Sequence, residues 1–228
     1  MKRILRLSVV LMLLVEMSGA ASAEENVKAV AGLKTWINSW KSDKAGSGEM
    51  RSNTTALVGW SAEAEFSNRL FAEVSYLLSA VDYKFDLPGG VSEVERNDFD
   101  LVVGYRSERY AGVFTGYRSS QFLQKQGNSK SKATLHGPLI GICQTAPLNS
   151  TFSLFGKVTY LPQITKRTYA AADEKETATG WFAEAGVKYA FTRRLTGALG
   201  YKYETARGRD ARFSDAYSGA TFDVMLSF

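Results

Sequence analysis

Along most of this chain, apolar side chains fall on every second residue. The stretch TALVGWSAEAEF sets Ala56, Val58, Trp60, Ala62, Ala64 and Phe66 against Thr55, Gly59, Ser61, Glu63 and Glu65. GWFAEAGVKYAF sets Trp181, Ala183, Ala185, Val187, Tyr189 and Phe191 against Glu184, Gly186 and Lys188, and LTGALGYKYE sets Leu195, Leu199, Tyr201 and Tyr203 against Lys202 and Glu204. A period of two marks strands with one apolar face, whereas a helix would repeat at 3.6. The pattern predicts ten strands near 31–42, 52–66, 69–81, 98–108, 110–122, 135–146, 151–162, 179–191, 195–206 and 217–228. Eight or twelve strands remain compatible with it.

The connections alternate in length. Short ones fall near 67, 107, 147 and 192, and long polar ones at 43–51, 82–97, 123–134, 163–178 and 207–216. Short turns at one end and long loops at the other suit an all-β, antiparallel transmembrane β-barrel, with periplasmic turns and extracellular loops. In hydrocarbon every unpaired backbone N–H or C=O costs several kcal/mol, so a membrane sheet must close on itself. Trp36, Trp40, Tyr76, Tyr110, Tyr160, Tyr189 and Tyr203 stand near strand ends, where amphipathic rings form interfacial girdles. A soluble β-sandwich also alternates, but its outward face would be the polar one. Here the broad apolar face carries Ala, Val and aromatic residues, and the other collects Gly, Ser, Thr and charge.

Residues 1–23 read as an export signal: MKRILR is a positive n-region, LSVVLMLLV an apolar core, and ASA precedes Glu24. The apolar run is too short for a spanning helix of about 20 residues. Cleavage after Ala23 leaves one domain, 24–228, outside the cytoplasm. The formal charge of +5 falls to +3 without those residues, 25 basic against 22 acidic side chains, too mild to argue for nucleic acid. Cys143 is the single cysteine, which excludes an internal disulfide and reads as a small strand residue.

The sequence finishes on FDVMLSF, with Phe222, Val224, Leu226 and Phe228 on one face. This strand, together with the hairpin VKYAFTRRLTGALGYKYE and its tight turn at 191–194, resembles the small outer-membrane β-barrel proteins of Gram-negative bacteria, among the OmpA-like and porin-like barrels. The resemblance extends over the whole of 24–228. It implies residence in the cell outer membrane among lipid and lipopolysaccharide. It also implies that the last strand is an assembly signal for the barrel-assembly machinery and pairs with the first strand. It implies no particular activity, because one fold hosts many.

Function then rests on the interior and the loops. The polar face collects Glu63, Glu65, Glu73, Arg106, Arg118, Lys157, Glu184, Lys188, Lys202, Glu204 and Asp223. Charges held away from water must pair, and Glu184 or Lys188 facing Lys202 or Glu204 are candidate partners. Barrels of about eight strands hold side chains only, and open channels need 16 or more. A structural barrel or a narrow pore for small solutes is the leading expectation. Surface binding is the alternative: Lys125, Lys130, Lys132, Arg207, Arg209 and Arg212 in polar loops could contact lipopolysaccharide phosphates or another surface polyanion. A rim hydrolase is the third: His136 with Asp98 and Asp100 could activate water, though no Asp–His pair stands at two-residue spacing and the bland reading is a rim histidine with solvated aspartates. The sequence shows no nucleophile motif or metal-ligand cluster and calls for no cofactor.

Overall fold

Backbone pairing runs from each strand to the next and back to the first, so the sheet has no free edge. The computed structural model describes residues 27–44, 48–87, 90–107, 111–127, 129–169, 173–209 and 213–228. The export signal at 1–23, Tyr110 and Arg212 lie outside them. The described strands are β1 (Val27–Lys44), β2 (Gly48–Arg51), β3 (Thr55–Phe66), β4 (Leu70–Ser79), β5 (Tyr83–Leu87), β6 (Gly90–Arg106), β7 (Ala111–Gln126), β8 (Ser129–Pro147), β9 (Phe152–Tyr169), β10 (Asp173–Ala190), β11 (Leu195–Gly208) and β12 (Phe213–Ser227). All pairs are antiparallel, and β12 returns to β1 in register from Val30↔Ser227 to Lys44↔Phe213. Because β2 continues β3 along β1 and β5 continues β4 along β6, the wall is a ten-strand barrel. Closure excludes the sandwich.

Both interruptions are local bulges next to one another. Between β2 and β3 the register on β1 slips by one residue, and the Asn53 N–H reaches the Lys84 carbonyl at 3.1 Å across the neighbouring break. The turn at 67–69 needs a left-handed residue, Arg69 at φ 68°, and the Asn68 side chain accepts the Leu70 N–H at 3.2 Å. At 191–194 the Phe191 N–H donates to the Leu195 carbonyl at 2.9 Å, and the Thr192 hydroxyl accepts the Leu195 N–H at 3.0 Å.

The strands run well beyond the boundaries drawn from hydrophobic alternation. Segments 82–97, 123–134 and 163–178 are mostly hairpin extensions of β5–β6, β7–β8 and β9–β10. Above the membrane the outer face no longer has to be apolar, so alternation fades while the backbone ladder continues. A strand of 18 residues such as β9 is about 60 Å long at ~3.3 Å per residue. Tilted by ~45°, it stands some 40 Å tall against a hydrocarbon core of ~30 Å.

The outer wall is apolar where the bilayer lies. Val103, Val113, Ile140, Ile142, Val158, Leu199 and Tyr201 point outward. Phe152, Tyr189 and Phe191 stack near the short-turn end (ring centroids 4.9 and 4.8 Å), and Trp181 packs on Tyr203 at 5.3 Å farther up. From Trp181 to Phe191 is about 23 Å along the axis at the same rise and tilt, close to the ~25 Å apolar band of such barrels. Trp36 and Trp40 do not join this girdle. Trp36 is 1% exposed, and both rings point into the barrel, because on β1 they share a face with Lys34 and Asn38 while Leu33 and Ile37 face lipid.

Candidate functional site: the ion-paired lumen

Parity along each strand decides which side chains enter the lumen. Glu63, Glu65, Glu73, Arg106, Arg118, Lys157, Glu184, Lys188, Lys202, Glu204 and Asp223 all point inward, in two groups. Near the short-turn end, Arg106 donates two hydrogen bonds to Glu63 (3.0 and 3.2 Å) and one to Glu65. Lys157 donates to Glu73 at 2.9 Å, and Lys34 pairs with Asp223 at 3.4 Å. These groups line a cavity of about 520 Å³ that also takes in Cys143 and Phe155.

Higher up, the charges converge on one carboxylate. Glu204 accepts from Arg96 Nη2 at 2.6 Å and from Arg118 Nη1 at 2.8 Å, and Lys202 approaches to 3.4 Å. Arg118 also forks onto Asp100 at 2.6 and 2.7 Å, and Arg96 donates to Asp98 at 2.9 Å. Planar guanidinium groups suit such bidentate contacts. The layer is dry: the Arg96 side chain is 0% exposed and that of Arg118 5%. Aromatic rings pack around it. Arg96 lies 4.1 Å from the Tyr217 ring centre, Arg118 4.4 Å from Phe182, and Lys202 Nζ 4.2 Å from Trp36. Trp40, Tyr83, Phe85 and Phe122 continue the packing toward the long-hairpin end, with Tyr83 donating to Asn38 at 2.7 Å and Trp40 to Asp215 at 3.0 Å. Between this layer and the lower cavity the free space narrows to about 30 Å³, room for one or two waters.

Of the pairings expected across β10 and β11, one is in register and the others are not. Glu184 does face Lys202, but Lys188 faces Ala198, and Glu204 faces Phe182. Asp98 and Asp100 are not rim aspartates, since arginines hold both inside, Asp98 fully buried and Asp100 half-buried. His136 stands on the opposite side of the wall, where its Nδ1 meets the Tyr117 hydroxyl at 2.7 Å. The imidazole and the two carboxylates therefore cannot act on one water. Among the described residues no group of His, Cys, Asp and Glu could hold a metal.

Sequence reasoning missed Lys34, Arg96 and the lumen roles of Asp98, Asp100 and Trp36. Arg96, Asp98 and Asp100 alternate with the outward Phe99 and Leu101, and extending that parity backward through 96 would have revealed them. Of the basic hairpin residues, Lys125 and Lys130 are direct cross-strand neighbours, and Lys132 lies two residues along β8. Arg207 stands on the outer face of β11, four residues above Tyr203, and the Arg209 N–H donates to the Thr177 carbonyl at 3.0 Å. All five are exposed above the apolar band. Phe222, Val224, Leu226 and Phe228 face outward on β12, and the Phe228 N–H donates to the Ala29 carbonyl at 2.9 Å.

Comparison with solved structures agrees with this architecture. The outer membrane protease OmpT from Escherichia coli superposes with a TM-score of 0.64 at 12% identity, over 90% of this chain and 98% of that one. The translocator domain of the autotransporter NalP from Neisseria meningitidis gives 0.52 at 8% identity, over 98% and 96%. At such identities the likeness concerns the fold alone. No curated protein matches in sequence. Residues 7–228 match the family model for the outer membrane protein beta-barrel domain, and the chain belongs to that family of bacterial outer-membrane barrels.

Proposed function

We propose that this protein is a structural outer-membrane barrel whose ion-paired lumen is closed at rest. The observation that carries the reading is the buried layer of Arg96, Asp98, Arg118 and Glu204, edged by Asp100 and sealed by Trp36, Phe182 and Tyr217. A path through it would have to separate charges at 0–10% side-chain exposure, apart from Asp100 at 22%, and leaving one such charge unpaired costs about 3–5 kcal/mol. Cys143 offers a test, because it lines the lower cavity and is the chain's single cysteine. A small charged thiol reagent should label it from the periplasmic side and not from outside, and the protein in a planar bilayer should give no steady current. Labelling from outside together with discrete openings would make the protein a narrow pore instead.

A second reading has its own observation. Lys125, Lys130, Lys132 and Arg207 project outward from β7, β8 and β11 above the apolar band. Such a belt fits phosphates of lipopolysaccharide through charge-assisted hydrogen bonds. Replacing Lys130, Lys132 and Arg207 by Gln should weaken binding to lipopolysaccharide micelles at low salt. Unchanged binding would refute it.

A further inference from the structure

The lower cavity holds a pair of opposite charges that the barrel leaves apart. Glu184 and Lys188 are inward residues of β10 on either side of inward-facing Gly186. Two strand repeats separate their Cα atoms by about 13 Å. The Phe155 ring fills the space above Gly186, where a Cβ would lie 2.8 Å from it, so the ring stands between the carboxylate and the ammonium. Lys188 rests against that ring, 5.5 Å from its centre, and among the described residues pairs with no carboxylate within 4 Å. Glu184 is 8% exposed, and its Oε1 has no hydrogen-bond partner. Asp223, close by on β12, has the same deficit at Oδ1. Buried polar atoms are nearly always satisfied. Here two acceptors and one cation bracket an apolar ring in a cavity of about 520 Å³, a size that suits a small ligand.

We propose that this cavity binds a small extended zwitterion from the periplasm, of the length and chemistry of a di- or tripeptide. Its ammonium is received by Glu184 Oε1 and Asp223 Oδ1, the acceptors left open beside the Lys34–Asp223 pair, after a rotation of their terminal carboxyl torsions. Its apolar middle lies on Phe155, and its carboxylate meets Lys188. Two or three residues extend about 7–10 Å at ~3.3–3.6 Å each, which spans the gap once both side chains lean inward. A single amino acid is too short, and a dication or dianion leaves one end facing like charge. The site does not depend on whether the lumen above conducts. Current through the barrel would overturn the closed-lumen reading alone, and failed binding would overturn this one alone.

The test uses the full barrel folded in detergent, checked by its heat-dependent mobility on gels, and titrated calorimetrically with trialanine. Trialanine amide and N-acetyl-trialanine serve as end-blocked probes. Saturable binding of trialanine is expected, at least tenfold weaker when either end is blocked. Lys188→Gln should weaken trialanine about tenfold yet leave binding of the amide unchanged, and Glu184→Gln should likewise weaken trialanine yet leave binding of the N-acetyl form unchanged. Bound trialanine should also slow modification of Cys143. If Glu184→Gln does not fold, the Lys188→Gln comparison and the Cys143 protection decide alone. No saturable heat and no protection, or equal binding of all three peptides, overturns the proposal.

Discussion

Glu204→Gln is the perturbation that probes the sealing layer most directly. Glu204 accepts one guanidinium hydrogen bond from Arg96 and one from Arg118, and Lys202 adds a third positive neighbour. Hydrogen bonds to charged groups contribute about 1.5–3 kcal/mol each. The amide keeps a single acceptor oxygen, so roughly one of the two bonds is lost and the layer gains one uncompensated positive charge. Arg96 retains Asp98 and Arg118 retains Asp100, which limits the damage. A loss of about 2–4 kcal/mol follows, just below the ~3–5 kcal/mol typical of breaking a buried pair. Urea unfolding in lipid vesicles, followed by tryptophan fluorescence, measures it as a lower midpoint at unchanged slope. Trp36, 1% exposed and 4.2 Å from Lys202 Nζ, is a reporter inside the layer. A double-mutant cycle with Arg96→Met should return a coupling of at least about 1 kcal/mol. A loss below ~1 kcal/mol, the scale of solvent-exposed pairs, would mean that water already fills the layer. That result would refute both the magnitude and the closed lumen.

Three further outcomes follow from the wall. Deleting Phe228 removes one closing hydrogen bond to Ala29 and one outward ring, so the unfolding free energy of an already folded barrel should fall by only about 1–2 kcal/mol. The folded protein recovered in the outer membrane should drop far more, and equal recovery of deletion and wild type would rule out an assembly role. Gly219→Ala places a methyl against the Ile37 carbonyl across the β1–β12 seam, an overpacking that should cost about 1–3 kcal/mol; the same unfolding assay checks it, and no change would mean the seam has slack. His136→Ala removes only the Tyr117 contact on the outer face, so stability should move by less than about 1 kcal/mol and Cys143 labelling not at all; a change in labelling would show that His136 communicates with the lumen.

Alternation alone carried the sequence to a closed barrel, since lipid demands an apolar outer face and a satisfied backbone wherever the chain crosses it. For the same reason it gave the parity of Glu63, Glu184, Lys202 and Asp223, each lying between apolar neighbours on well-patterned strands. It failed where that demand lapses. Above the bilayer the outer face is polar, so the apolar alternation of β6 stops at Phe99 and only its parity leads back to Arg96, and the long segments read as loops though most are strand. On β1 both faces carry large apolar residues, Leu33 and Ile37 outside, Trp36 and Trp40 inside, and local pattern cannot separate lipid from a packed lumen. The pairings themselves are tertiary. Arg96 and Glu204 stand 108 residues apart, and Lys157 and Glu73 stand 84 apart. They meet only because closing the sheet brings distant strands to face each other across one narrow interior, where charge without a partner has no water to turn to.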